Sequence, residues 1–144
     1  MPFEPASLLL GSDNLGAVLL SCSPLPGSKT STRIGSGGGT LSFGPHRLVV
    51  PAGALSRPVT ITAEEISDRV NSVRFSPEGL RFNKNTQLTL SYANCSGAGM
   101  LLPKLIAYTD DLLAILELLP SVDLPAQKKV TGQLKHFSRY AVAY

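Results

Sequence analysis

The residues from Gly37 to Ser56 constrain this chain most: Gly-Gly-Gly-Thr-Leu-Ser-Phe-Gly-Pro-His-Arg-Leu-Val-Val-Pro-Ala-Gly-Ala-Leu-Ser. Leu41 and Phe43 alternate with Thr40 and Ser42, the two-residue period of a half-buried strand. Gly44-Pro45 breaks the run as a turn does, and His46–Val50 resumes it until Pro51 and the loop Ala52–Leu55. Two short strands around a Gly-Pro turn predict a β-hairpin.

The rest of the chain repeats this pattern. Val59, Ile61 and Ala63 share one face of a predicted strand, and Thr60, Thr62 and Glu64 the other. Glu65–Asn71 reads as a polar loop. Ser72–Phe75 reads as a short strand with Val73 and Phe75 inward. Pro77-Glu78-Gly79 suits a tight turn, because proline fixes φ and glycine takes the positive-φ position, and Phe82 then returns to the core. Gln87–Tyr92 alternates again with Leu88, Leu90 and Tyr92 inward, Ser96–Gly99 is a loop, and Lys104–Tyr108 is a strand. Leu112–Leu119 favours a helix by propensity, but it is short, closed by Pro120 and flanked by strands, so it is predicted to pair with residues 104–108. Lys128–Leu134 and Tyr140–Tyr144 complete about nine short antiparallel strands, which means an all-β sandwich or barrel. Its core should hold Leu48, Val50, Val59, Ile61, Phe75, Phe82, Leu88, Leu90 and Val142.

Composition narrows the function. The 144 residues are expected to form one domain, and the charge of +3 is mild. The thirteen Lys and Arg are scattered, with only Lys128 and Lys129 adjacent, whereas nucleic-acid binders cluster base on one face. Two cysteines, Cys22 and Cys95, and two histidines make a poor metal set, and no Cys-x-x-Cys spacing exists. The preferred reading is two unrelated thiols, and a disulfide requires the tail around Cys22 to lie beside the loop holding Cys95. Asn94-Cys95-Ser96 fits a glycosylation sequon and is read as a turn. No run reaches the ~18 continuous apolar residues of a membrane-spanning helix.

Residues 1–33 are read as an N-terminal arm and linker, and residues 34–144 as the domain. Ser23–Gly39 is rich in Ser, Gly, Pro and Thr. Leu19-Leu20-Ser21-Cys22 looks like the cleavage box of a bacterial lipoprotein, but Glu4 stands where a signal peptide wants positive charge. The alternatives are a remnant signal segment and a short amphipathic arm that packs on the domain or on a neighbouring subunit.

Several segments coincide in order and spacing: Gly38-Gly39-Thr40-Leu41, Leu48–Leu55, Phe75–Phe82, Leu88–Tyr92 and His136–Tyr140. Together they resemble the ZU5 domain of ankyrins, netrin receptors, a tight-junction scaffold and a death-domain protein, with similar modules in bacterial envelope and secreted proteins. The resemblance covers residues 34–144. It implies a β-sandwich used as a non-enzymatic protein-interaction or structural module; the arm, which lies outside the family pattern, could add a strand to a neighbour's sheet edge and so assemble copies of the chain. The resemblance implies no cofactor, and a secreted or cell-envelope location is favoured over a cytoplasmic one. The second domain that follows in several eukaryotic members has no match here.

One set of residues could carry chemistry. In some ZU5-containing proteins a His-Phe-Ser at the place of His136-Phe137-Ser138 is cut between Phe and Ser by the protein itself. The Ser138 hydroxyl would attack the Phe137 carbonyl, with His136 as general base, and water would hydrolyse the resulting ester. An oxyanion donor would also be required. The structural alternative is a last strand in which Phe137 fills the core, Ser138 sits at a bend and His136 is half exposed. Glu64-Glu65 and Asp110-Asp111 make poor catalytic pairs, since neighbours on a strand face opposite ways, and a turn such as Asp110-Asp111 offers too few oxygens for calcium. Gly35–Gly39 lacks the lysine and helix of a phosphate loop. Three functions therefore follow from the sequence: a non-enzymatic module, a self-processing domain, and an envelope lipoprotein anchored at Cys22.

Overall fold

The computed structural model describes residues 16–144. They form eleven strands: β1 Ser28–Ile34, β2 Gly39–Phe43, β3 His46–Val50, β4 Val59–Ile66, β5 Ser72–Ser76, β6 Arg81–Ser91, β7 Leu105–Thr109, β8 Ile115–Leu118, β9 Ser121–Leu124, β10 Lys129–His136 and β11 Arg139–Ala143. A 3-10 turn, Ala98–Leu101, precedes β7. A six-stranded sheet runs β1-β4-β5-β11-β7-β8, and a five-stranded sheet runs β2-β3-β6-β10-β9. All pairings are antiparallel. The chain is an antiparallel β-sandwich, one of the two architectures its alternation predicts.

The expected hairpin is β2–β3, in register from Gly39 opposite Val50 to Phe43 opposite His46. Gly44 turns it at φ +56°, and a Cβ added there would lie 2.3 Å from Glu65 Oε2. Backbone and packing thus both require glycine at this turn.

The inner faces of the sheets meet over one apolar core. Leu48, Val50, Ile61, Phe75, Phe82, Leu88, Leu90 and Val142 are buried in it. Val59, at the start of β4 opposite Ile34, packs on the rim and is only half-buried. Phe75 stacks on Phe137 at 4.8 Å between ring centroids and meets Phe43 edge-on at 5.6 Å. These contacts tie β2, β5 and the β10–β11 corner together.

Several expectations need correction. The boundary at residue 33 falls inside β1, which pairs with β4 from Ser28–Glu65 to Ile34–Val59. Its sequence, Ser-Lys-Thr-Ser-Thr-Arg-Ile, lacks an apolar stripe because β1 is a sheet edge, with its threonines and Ile34 turned partly inward. The arm is drawn in still earlier. The Leu20 N–H donates to the Val142 carbonyl at 3.0 Å, and Val18 and Tyr144 exchange backbone bonds at 3.0 and 2.9 Å. β5 covers β11 only along Arg139–Ala141, and residues 18–20 take the free edge beyond it, leaving Leu20 1% exposed. This stretch packs on its own domain; the remainder of the predicted arm, residues 1–15, lies outside the described residues.

Cys22 and Cys95 form a disulfide rather than two unrelated thiols. The predicted loop 65–71 begins later, since Glu65 and Ile66 complete β4. Leu112–Leu119 does pair with β7, but only Ile115–Leu118 is strand. Leu112 sits in the turn before β8, 89% exposed, because Asp110 accepts the Leu112, Leu113 and Ala114 N–H groups and holds residues 110–114 out of the sheet. β9 was not anticipated, as its four residues pack half their side chains at the sheet margin.

Candidate functional site

His136-Phe137-Ser138 forms the corner between β10 and β11. Phe137 is buried, stacked on Phe75 and edge-on to Phe82 at 5.0 Å. Its N–H donates to the Leu80 carbonyl at 2.8 Å, and its own carbonyl accepts the Gly79 N–H at 3.1 Å. The Ser138 carbonyl accepts the Phe75 N–H at 3.1 Å. The turn Pro77–Gly79, with Gly79 at φ +79°, thus aims an amide at the carbonyl that Ser138 would attack. That is one donor of the kind an oxyanion needs.

The base is placed differently. The His136 ring lies edge-on to Tyr108 at 5.0 Å, and its backbone carbonyl accepts the Tyr140 hydroxyl. Among the described residues no hydrogen bond joins the His136 imidazole to the Ser138 hydroxyl. The three residues are brought together as predicted, with Phe137 in the core and His136 half-exposed, but nucleophile and base are not coupled.

Sequence reasoning missed a buried polar pair. His46 on β3 and Glu65 on β4 are 2% and 4% exposed and face each other across the two sheets, Nε2 to Oε2 3.3 Å. His46 Nδ1 accepts the Ser91 N–H at 3.0 Å, so the proton of the neutral ring resides on Nε2, directed at Glu65. The approach departs from hydrogen-bond geometry, leaving both atoms incompletely satisfied. Burial lowers the His46 pKa to about 4. Burial raises that of Glu65, opposed by a hydrogen bond from the Gly27 backbone. The alternation of β4, carried one residue beyond Glu64, was the signal that could have found Glu65 inward.

Glu64 points the other way, as strand geometry predicts, with its Oε1 3.5 Å from Arg74 Nη1. Arg74 also pairs with Asp111 at 3.0 Å. Arg139, nearly buried, donates to the Asp111 carbonyl at 2.9 Å and to Ser72 Oγ at 3.0 Å. Asp110 Oδ1 accepts the Leu112 and Ala114 N–H groups, both at 2.9 Å, and holds its own turn. Lys104 is 2% exposed; its ammonium donates to the Met100 and Leu102 carbonyls and lies 5.0 Å from the Tyr92 ring centre. Tyr92 donates to Asp123 at 2.7 Å, and burial together with that carboxylate pushes its pKa up to about 12. Among the described residues no group of three or more His, Cys, Asp or Glu is placed to hold a metal ion.

The disulfide bears on Cys22 directly. A thioether-linked lipid would need the same sulfur, so anchoring at Cys22 and the bond to Cys95 exclude each other. No protein-family model matches the sequence, and no curated protein matches it.

Proposed function

We propose that the chain is a non-enzymatic binding or structural module, a β-sandwich of the ZU5 type. The carrying observation is the disposition of its ionisable groups. Each buried one has a polar neighbour, His46 with Glu65 and Ser91, Lys104 with two carbonyls, Arg139 with Ser72 and Asp111, although His46 Nε2, Glu65 Oε2 and Arg139 Nε lack a hydrogen bond of good geometry. Ser138, whose target carbonyl has an amide aimed at it, has no base hydrogen-bonded to it among the described residues. The ZU5-like segments support the type, since they fall on the β2–β3 hairpin, the turn after β5, β6 and the β10–β11 corner. The disulfide supports work in an oxidising compartment, secreted or envelope-associated.

A self-processing domain is the second reading, favoured by the Gly79 amide on the Phe137 carbonyl. Denaturing mass spectrometry of the intact chain after prolonged incubation separates the two. An unchanged mass is expected. Release of residues 138–144, abolished by Ser138→Ala, would overturn the non-enzymatic reading.

A further inference from the structure

Four of the thirteen Lys and Arg residues, far apart in the sequence, collect on one face of the fold. Along β6 and β10 of the five-stranded sheet, Phe82, Leu88, Leu90, Val130 and Leu134 point inward. Their neighbours Arg81, Lys129 and Lys135 therefore face out, and Arg47 faces out between His46 and Leu48. All four are exposed, and among the described residues none of them is in an ion pair. Asp123 is the only acid on these five strands, and it is spent on the Tyr92 hydroxyl and the Lys104 N–H. The other sheet is different: its Arg74 and Arg139 are engaged by Glu64, Asp111 and Ser72, and only Lys29 and Arg33, on the edge strand β1, are exposed with no ion pair among the described residues.

We infer that the outer face of the five-stranded sheet is a docking surface for an acidic polysaccharide. This rests on the binding-module reading and names its partner. The cations stand in two groups. Arg47 and Lys129 flank a groove of about 360 Å3 whose walls include Ser42, Thr89 and Thr131. Arg81, in register with His136, lies beside Lys135 at the other end of β10, six residues or about 20 Å from Lys129. Between the groups the face offers hydroxyls and amides: Thr89 opposite Thr131 and Gln87 opposite Gln133. Charge separated by neutral hydrogen-bonding groups complements a chain of hydroxyl-bearing rings with anions at intervals. A single-stranded nucleic acid instead carries a phosphate at every step and needs aromatic side chains for its bases, and these strands put no Phe, Tyr or Trp on the face. An acidic peptide needs a buried apolar anchor, and the face offers only Leu124 on the groove wall and Val122 beside it, both on the edge strand β9 and both exposed. The disulfide also places the protein among extracellular polymers rather than cytosolic ones.

The test is calorimetric titration of the intact chain with heparin oligosaccharide, polyglutamate and a DNA oligonucleotide of matched charge, at low and at physiological salt. Heparin should bind, and bind tightest. Arg47→Gln with Lys129→Gln, and separately Arg81→Gln with Lys135→Gln, should each weaken it about tenfold, two exposed charge contacts at ~0.7 kcal/mol apiece. Lys29→Gln with Arg33→Gln on β1 removes the same charge elsewhere and should change it less than about twofold. Equal losses in all three pairs, absence of heparin binding, or tighter binding of polyglutamate or DNA would each overturn the assignment. Shortening of the oligosaccharide during incubation would instead refute the non-enzymatic reading and leave the surface standing.

Discussion

Removing the Cys22–Cys95 bond, by reduction or by Cys22→Ser with Cys95→Ser, should destabilise the fold by about 4 kcal/mol. The bond closes a sequence separation of 73 residues. Chain entropy for a loop of that length amounts to about 15 cal/mol/K, or roughly 4.4 kcal/mol at room temperature. Set against a total stability of about 5–15 kcal/mol, this is a large share. Without the bond, the segment from Val18 to Cys22 would depend on Leu20 burial, worth about 2 kcal/mol, and on five backbone bonds at about 1 kcal/mol each. Ordering each of its residues opposes this by about 1–2 kcal/mol, so the segment should fray once uncoupled. Urea unfolding with and without reductant is the assay. At a slope of about 2 kcal/mol per molar the midpoint should fall by about 2 M. Hydrogen exchange should speed up at Val18, Leu20 and Tyr144 while Leu88 and Leu90 stay protected. Coincident unfolding curves, or unchanged protection of the Leu20 amide, would refute the reasoning.

Phe75→Ala should destabilise by about 3–5 kcal/mol, read in the same unfolding experiment, because the ring is fully buried between Phe43 and Phe137. Gly44→Ala should lose roughly 2 kcal/mol or more from a positive φ and a collision with Glu65, whereas Gly37→Ala, with nothing within 4 Å of the added methyl, should be near neutral. Between pH 7 and pH 5 the unfolded chain protonates His46 at its ordinary value while the folded chain resists down to about 4. Stability should therefore fall with acidification by about 2 kcal/mol at most. The raised Glu65 pKa acts with the opposite sign and offsets part of the loss. His46→Gln should flatten the profile, and an unchanged slope would show that His46 does not titrate as described.

What was legible in the sequence is what the two-residue period governs. Thr40–Phe43 and Gln87–Tyr92 declare one wet and one dry face, so the hairpin and the centre of β6 could be read directly. β1 was missed because an edge strand needs no apolar stripe, and its Ser31 answers Thr62 with a hydroxyl contact at 2.7 Å. The disulfide was only the less favoured reading, because whether two distant thiols meet depends on where the tail runs, which local pattern does not encode. The bend at Ser138 and the burial of Phe137 follow from the local pattern, while the edge-on contact of the His136 imidazole with Tyr108 depends on the opposing sheet. The charge asymmetry between the sheets was invisible for a related reason: alternation sends neighbouring residues to opposite sides, and only the pairing of β3, β6 and β10 collects Arg47, Lys129, Arg81 and Lys135.

The antiparallel lie of residues 18–20 against β11 has a mechanical consequence. Val18 bonds Tyr144, Leu19 faces Ala143 and Leu20 bonds Val142, so a pull applied at Gly16 and Tyr144 enters at the open end of this ladder and peels it one rung at a time. Peeling stops at Cys22. Beyond that point tension crosses the covalent bridge to Cys95, and everything from β1 to β6 drops out of the load path. Only β7 to β11 can then pay out under traction, and the β2–β3 hairpin with its pairing to β6 stays slack for as long as the bridge is oxidised.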